Sequence, residues 1–275
     1  MDTTKTERKP RIAIGFFGIT RSLKWTLPSI QENIIQPARE LGEVRLFAHL
    51  YQQTHIASPR SGENELLDPE EYRLLECDEV TLEAPGGCLE EARYDWILSH
   101  GDAFHDGGKS LANLIHQLHS LQVLGRMVGK WSPNVVILAR PDLQYQDNCK
   151  EIIAGHLSLS TDSLTIPDWQ WYGGYNDRFA VGGLRAIQAY LDRVSLIPLY
   201  VQRTGGPLPA ERFLRFSLHE HGILPNRTSL RASRVRANGY TLLENFKPAS
   251  AGKRAARFFE LSIRRLLKKF CIVIF

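Results

Sequence analysis

The segment Asn134–Ala139 (NVVILA) constrains this chain most, because it follows a long helical pattern and a Ser132-Pro133 turn and is apolar at five successive positions. A strand apolar on both faces must be covered on both faces, and that happens where helices sandwich a parallel sheet. The rest of the chain agrees. Arg11–Phe17 (RIAIGFF) reads as a first strand. Leu23, Leu27, Ile30 and Ile34 then recur at helical spacing until Gly42, and Glu43–Leu50 reads as a second strand. Leu111, Leu114, Ile115, Leu118, Leu121 and Leu124 stripe a helix over about Ser110–Trp131. Further strands are expected at Glu79–Glu83, Ser163–Pro167, Arg178–Val181 and Thr228–Val235, and further helices at Leu184–Tyr200 and Ala210–His221. The polar stretches Gln52–Glu71 and Ala84–Gly108 read as loops. Alternation of this kind predicts an α/β fold with a Rossmann-like, mainly parallel sheet sandwiched by helices.

Charge divides the chain into three parts. The formal net charge is +4, yet from Lys247 onward eight basic residues face one acid, Glu260. A flexible N-terminus (1–10), a mildly acidic body (11–246) and a basic tail (247–275) are therefore expected. An acidic body argues against nucleic acid as a partner, because that surface should be basic on the folded module itself. In the tail, Phe259, Ile263, Leu266 and Phe270 fall on one helical face, while Arg257, Arg264 and Lys268 gather opposite. This basic amphipathic pattern suits an anionic membrane surface; docking of the same apolar face on the body is the alternative. No apolar run is long enough to span a bilayer and the first ten residues lack a hydrophobic block, so a cytoplasmic protein, peripheral on the inner face of the plasma membrane, is expected. Cys77, Cys88, Cys149 and Cys271 show no paired spacing, and neither a disulfide framework nor a structural metal is expected from them.

In open α/β sheets ligands bind beyond the carboxyl ends of the strands, and those ends are polar here. After the first strand come Thr20, Arg21 and Ser22, a turn able to offer amides and a guanidinium to a phosphate. Arg140-Pro141-Asp142 follows the most apolar strand, where a charged pair is costly unless solvent, a ligand or an ion pair meets it. Asn113, Gln117 and Ser120 align along the long helix, beside its leucine stripe. Trp169–Gly183 (WQWYGGYNDRFAVGG) mixes aromatics, glycines, Asp177 and Arg178, as sugar sites do; a glycine-rich turn pinned by core aromatics has the same composition. Glu211 opens a helix after Pro209, where a carboxylate is favoured whatever its role. Neither a GxGxxG nor a P-loop pattern is present.

In chain order, RIAIGFFGITRS, GDAFHDGGKSLANLIHQLHSL, ARPDL, YNDRFAVGG and PAERFLRFSLHEHGI resemble the bacterial GT-A-type glycosyltransferases of lipopolysaccharide and capsular polysaccharide biosynthesis, over about Arg11–Asn238. The resemblance implies transfer of a sugar from a nucleotide-sugar donor to a glycan or lipid-linked glycan. Donor-binding residues would be Thr20, Arg21, Asn113, Gln117, Arg140, Asp142, Arg178 and Gly182. Asp177, Glu211 or Asp168 would serve as the catalytic base if configuration inverts. In that family an Asp-x-Asp motif holds a divalent cation, Mg or Mn; here only Asp142 matches, Arg140 standing at the first acidic place. The membrane residues would be Phe259, Ile263, Arg264, Leu266, Lys268 and Phe270. Two other classes fit the same outline: a glycan sulfotransferase, for which Lys24 is the nearby catalytic candidate, and a non-catalytic scaffold of the same envelope pathway.

Overall fold

The computed structural model describes residues 9–58 and 62–249. β1 (Arg11–Gly18) leads into α1 (Leu23–Ile30), a π-helical turn over Gln31–Ile35, α2 (Gln36–Leu41) and β2 (Glu43–Tyr51). β3 (His55–Ser58) and β4 (Glu63–Leu66) pair antiparallel before β5 (Glu79–Glu83). Two short helices, α3 (Gly87–Glu91) and α4 (Tyr94–Leu98), precede α5 (Lys109–Trp131) and β6 (Val135–Ala139). There follow β7 (Leu143–Tyr145), α6 (Lys150–Ser158), β8 (Leu164–Pro167), β9 (Phe179–Gly182), α7 (Leu184–Leu191), α8 (Ile197–Thr204), α9 (Ala210–Glu220), β10 (Asn226–Thr228) and β11 (Ala232–Arg234).

Seven strands form one sheet in the order β10-β8-β9-β6-β1-β2-β5. Only β9 runs against its neighbours, pairing antiparallel with both β6 and β8. The sheet is therefore mainly parallel, and helices cover both faces. On one face Ile12, Ile14 and Phe16 of β1 pack with Leu46 and Ala48 of β2, Val135 and Ile137 of β6, and the helical segment Leu23–Ala38. On the other, Ala13, Phe17, Val136 and Leu138 meet Leu121, Leu124 and Val128 of α5. α5 lies so close to β1 that a Cβ on Gly15 would stand 2.7 Å from Leu124 Cδ2, so a side chain here would push Leu124 aside.

The expected helix after β1 is interrupted. Pro37 has no amide to offer the carbonyl of Asn33, and that carbonyl accepts from Cys149 N–H instead, at 3.0 Å. Leu184–Tyr200 is likewise two helices, separated at Asp192 by a short 3-10 turn over Arg193–Leu196. Gln52–Glu71, expected as a plain loop, contains the β3–β4 pair. β7 and α6 were not expected, and the late strand Thr228–Val235 divides into β10 and β11. Contacts of the body run past residue 246: Pro248 bridges Trp169, and Ala249 N–H donates to the Asp168 carbonyl. The basic tail and its membrane residues Phe259, Ile263, Arg264, Leu266, Lys268 and Phe270 lie outside the described residues.

Candidate active site

β1 connects to β2 on one side and hydrogen-bonds to β6 on the other, so the strand order reverses between β1 and β6. The crevice at their carboxyl ends is where a doubly wound sheet binds its ligand. It holds Arg21 from β1 and Arg140-Pro141-Asp142 from β6. Backbone bonds fix the second group: Leu143 N–H reaches the Arg140 carbonyl, Tyr145 Oη accepts from Arg140 N–H at 3.0 Å, and Val235 N–H donates to the Asp142 carbonyl at 2.9 Å. Thr26 Oγ1 of α1 donates to the Pro141 carbonyl.

Asp142 is 1% exposed and receives three charge-assisted bonds. Arg140 Nε donates to Oδ1 at 2.9 Å; Arg140 Nη2 and Arg21 Nη2 donate to Oδ2 at 2.9 and 2.7 Å. Burial alone would raise this carboxyl, but the two guanidiniums overcome it and hold Asp142 far below the usual carboxylate range. Asp142 in return keeps Arg140 charged against its own burial. The divalent cation expected on Asp142 does not fit this arrangement, because both oxygens already accept from guanidiniums and two positive charges stand where a cation would bind.

The network extends both ways. Arg21 also reaches Glu63 of β4 at 3.2 Å, and Glu63, buried, receives Arg236 Nη1 at 2.7 Å. On the other side Arg140 Nη1 approaches Gln117 Oε1 at 3.4 Å, and Gln117 Nε2 donates to Asp177 Oδ2 at 2.8 Å. Asp177 precedes Arg178, whose guanidinium stacks 5.3 Å from the Trp169 ring and lies 3.4 Å from Glu244. Burial, reinforced by Arg234, lowers the pKa of Arg178. Glu244, which burial would raise, is drawn below its ordinary value by Arg178, Gln170 and Arg234. Five arginines thus face four carboxylates. That leaves one positive charge in excess within this network, and Arg21 Nε is a buried donor with no hydrogen-bond partner among the described residues.

The structure therefore brings together Arg21, Gln117, Arg140, Asp142, Asp177 and Arg178. Thr20 is buried beside them and its carbonyl accepts from Leu23 N–H. Others stand elsewhere. Asn113 is exposed, one turn before Gln117 on α5. Gly182 pairs with Val136, at the amino end of β6 and away from the crevice, because β9 runs antiparallel; a Cβ there would meet the Ser163 carbonyl at 2.8 Å. Gly182 is a packing glycine rather than part of the donor site. Glu211 lies in the first turn of α9, its carbonyl accepting Tyr175 N–H at 2.9 Å. Asp168 follows β8; its Oδ1 is buried with no hydrogen-bond partner among the described residues. Lys24, the sulfotransferase candidate, is exposed on α1 with its ammonium 5.4 Å from the Trp25 ring.

Trp169–Asn176 is held by its own side chains. Trp169 Nε1 donates to the Leu230 carbonyl, Trp171 Nε1 to the Pro167 carbonyl and Asn176 Nδ2 to the Trp169 carbonyl. Gln170 and Tyr172 adopt left-handed backbone (φ 49° and 43°), a strain that persists where surroundings enforce it. Tyr172 is left 63% exposed, a ring face open to solvent.

Sequence reasoning missed Glu63, Arg234, Arg236 and Glu244. The alternation Arg234-Val235-Arg236 was a usable signal, since residues two apart share a face of an extended chain. Glu63 lay in a polar stretch with nothing to distinguish it.

No protein-family model matches this chain, and no curated protein matches it. Among solved structures, the apo form of mouse xyloside xylosyltransferase 1 is similar with a TM-score of 0.43 and 12% sequence identity, over 79% of this chain and 84% of that one. A likeness of that degree assigns no activity to this chain.

Proposed function

We propose that this chain is a glycosyltransferase that binds a nucleoside-diphosphate sugar in the β1/β6 crevice and passes the sugar to a glycan or lipid-linked glycan during cell-surface polysaccharide synthesis. The observation that carries the reading is the clamp of Asp142 by Arg21 and Arg140 at the point where the strand order reverses. Two preorganised guanidiniums there suit a diphosphate, and their orientation is set before the ligand arrives, so little reorganisation is needed.

In this reading the acceptor hydroxyl oxygen attacks the anomeric carbon as the bond from that carbon to the diphosphate oxygen breaks. The guanidiniums of Arg140 and Arg21 stabilise the charge that develops on the departing diphosphate. With inversion, Asp177 takes the acceptor proton, oriented by Gln117, which itself touches Arg140. One side chain thus spans the base and the leaving-group clamp. Asp168 and Glu211 are the other candidates for the base, and Tyr172 offers a stacking face for a sugar ring. The tail from Lys247 would hold the enzyme at an anionic membrane beside a lipid-linked acceptor. Among the described residues no helix is long and apolar enough to cross a membrane.

The test is a panel of UDP-, GDP-, CMP- and dTDP-sugars incubated with the full chain, with release of the nucleotide followed by chromatography. At least one nucleoside-diphosphate sugar should be turned over by the wild type and not by Arg140→Ala. Turnover of none, with binding only of adenosine 3′-phosphate 5′-phosphosulfate, would overturn it.

A further inference from the structure

On the β2/β5 side of the sheet, away from the arginine clamp in strand order, lies a second group of ionisable side chains. His49 projects from β2, Glu83 ends β5 and His119 lies on α5. One ligand atom of each falls within 4.8 Å of the others. His49 Nε2 is 3.2 Å from Glu83 Oε1, and His119 Nε2 is 2.9 Å from Glu83 Oε2.

Hydrogen-bond accounting fixes the tautomer of His49. Ser120 Oγ has one proton, and it goes to the His49 carbonyl at 2.7 Å. The same oxygen accepts Gly18 N–H at 3.1 Å and lies 3.0 Å from His49 Nδ1. With its proton committed, Ser120 can only accept from Nδ1, so Nδ1 carries the hydrogen. In the neutral ring Nε2 is then a lone pair. His49 is fully buried, and among the described residues Nε2 makes no hydrogen bond although Glu83 Oε1 stands 3.2 Å away. A buried imidazole lone pair therefore faces a carboxylate oxygen 3.2 Å away, a contact that a cation between them would relieve.

We propose that His49 Nε2, His119 Nε2 and a Glu83 oxygen bind one divalent transition-metal ion of the zinc class. Two imidazoles and a carboxylate form a recurrent zinc donor set, and tetrahedral ligands at 2.0–2.1 Å stand about 3.3 Å apart. The two histidine–carboxylate separations, 3.2 Å to Oε1 and 2.9 Å to Oε2, come within a few tenths of an ångström of that, and the three ligand atoms all lie within 4.8 Å of one another. The Nδ1–H to Ser120 bond is the outer-shell contact that fixes a ligating histidine and strengthens its donor nitrogen. His49 forms a rigid buried wall, while the Glu83 side chain, 37% exposed, leaves a path for entry and a fourth position for water. His116 is not a ligand, because its Nε2 already accepts Gly86 N–H at 3.0 Å. A bound ion would join β2, β5 and α5.

The experiment uses the full untagged chain, stripped of metal and titrated with Zn²⁺ against a chromophoric chelator; Co²⁺ loading gives a second readout by visible absorption. The expected result is one tight equivalent per chain and a cobalt spectrum of tetrahedral intensity. His119→Ala and Glu83→Gln, both at half-exposed positions, should each weaken binding roughly tenfold or more. His55→Ala, at an exposed histidine that contacts Asn64, should leave it unchanged. His49→Ala should abolish the site; if burial makes that variant unfold, the other two still decide. Binding that is absent from the wild type, or equally tight in His119→Ala and Glu83→Gln, would overturn the proposal and leave Glu83 held by the two histidines without an ion.

Discussion

Replacing Asp142 by Asn keeps the shape of the side chain and removes its charge. Sequence alone suggests a loss of transfer with the fold intact; the structure predicts a loss of stability as well. An amide has one acceptor oxygen, and Asp142 uses both of its oxygens, Oδ1 for Arg140 Nε and Oδ2 for Arg140 Nη2 and Arg21 Nη2. Asn must therefore turn an NH2 group toward at least one guanidinium N–H. Losing one charge-assisted bond costs about 1.5–3 kcal/mol, and breaking a buried pair costs about 3–5 kcal/mol when the remaining charge is stranded. Here the charges are only partly stranded: Arg21 keeps Glu63, and the Arg140 side chain is 22% exposed and can reach water. The expected destabilisation is about 2–4 kcal/mol, and a chain of this size loses about 2–4 °C per kcal/mol. Urea unfolding of wild type, Asp142→Asn, Arg21→Ala and the double variant measures it. The reasoning fails if Asp142→Asn costs less than about 0.5 kcal/mol, or if the two single effects add within that margin, since contacting residues should couple.

Other consequences are as specific. Asp177→Asn should lower kcat by orders of magnitude with donor affinity nearly unchanged, the pattern of an interaction made in the transition state; equal kcat would pass the role to Glu211 or Asp168. EDTA should weaken nucleoside-diphosphate binding less than Arg140→Ala does, since guanidiniums rather than a cation occupy Asp142, and the reverse order of effects in calorimetry would restore a metal there. Gly15→Ala should destabilise by about 1–3 kcal/mol through collision with Leu124, and thermal unfolding should show part of that recovered when Leu124→Ala is added. His156, buried and bonded to Thr165 Oγ1, has its pKa lowered by desolvation, so the unfolded chain takes up the proton first. Its contribution is complete above about pH 6.5 and is lost as pH falls toward the lowered folded value, by at most about 1.4 kcal/mol per pH unit. A melting temperature that rises on acidification from pH 7 to 5.5 would contradict this.

What the sequence made legible follows from the range over which each signal acts. Val135–Ala139 and Glu79–Glu83 could be read because burial on both faces, or alternation bounded by turns, is written in consecutive residues. The break at Pro37 was readable in principle, but the helical spacing of Leu27, Ile30 and Ile34 masked it. Arg21, Arg140 and Asp142 could be chosen because they follow strands, where polar residues need a reason. Their pairing could not, because Arg21 and Asp142 are 121 residues apart and nothing local says which charge each will meet. Gly182 shows the opposite error. Its neighbours Asp177 and Arg178 do face the crevice, yet the antiparallel course of β9 carries Gly182 to the other end of the sheet. A metal was sought among the cysteines and at Asp142, while His49, Glu83 and His119 come from three separate elements with no motif spacing.

Isothermal titration of the full chain with UDP, GDP, CMP and dTDP, repeated with Arg140→Ala and Arg21→Ala, tests the central claim most directly. The account predicts that at least one nucleoside diphosphate binds the wild type at a single site and that each substitution weakens that binding at least tenfold, with circular dichroism showing both variants folded. Equal affinity in all three proteins, or binding of none of the nucleotides, would contradict a donor site built on the β1/β6 arginine clamp.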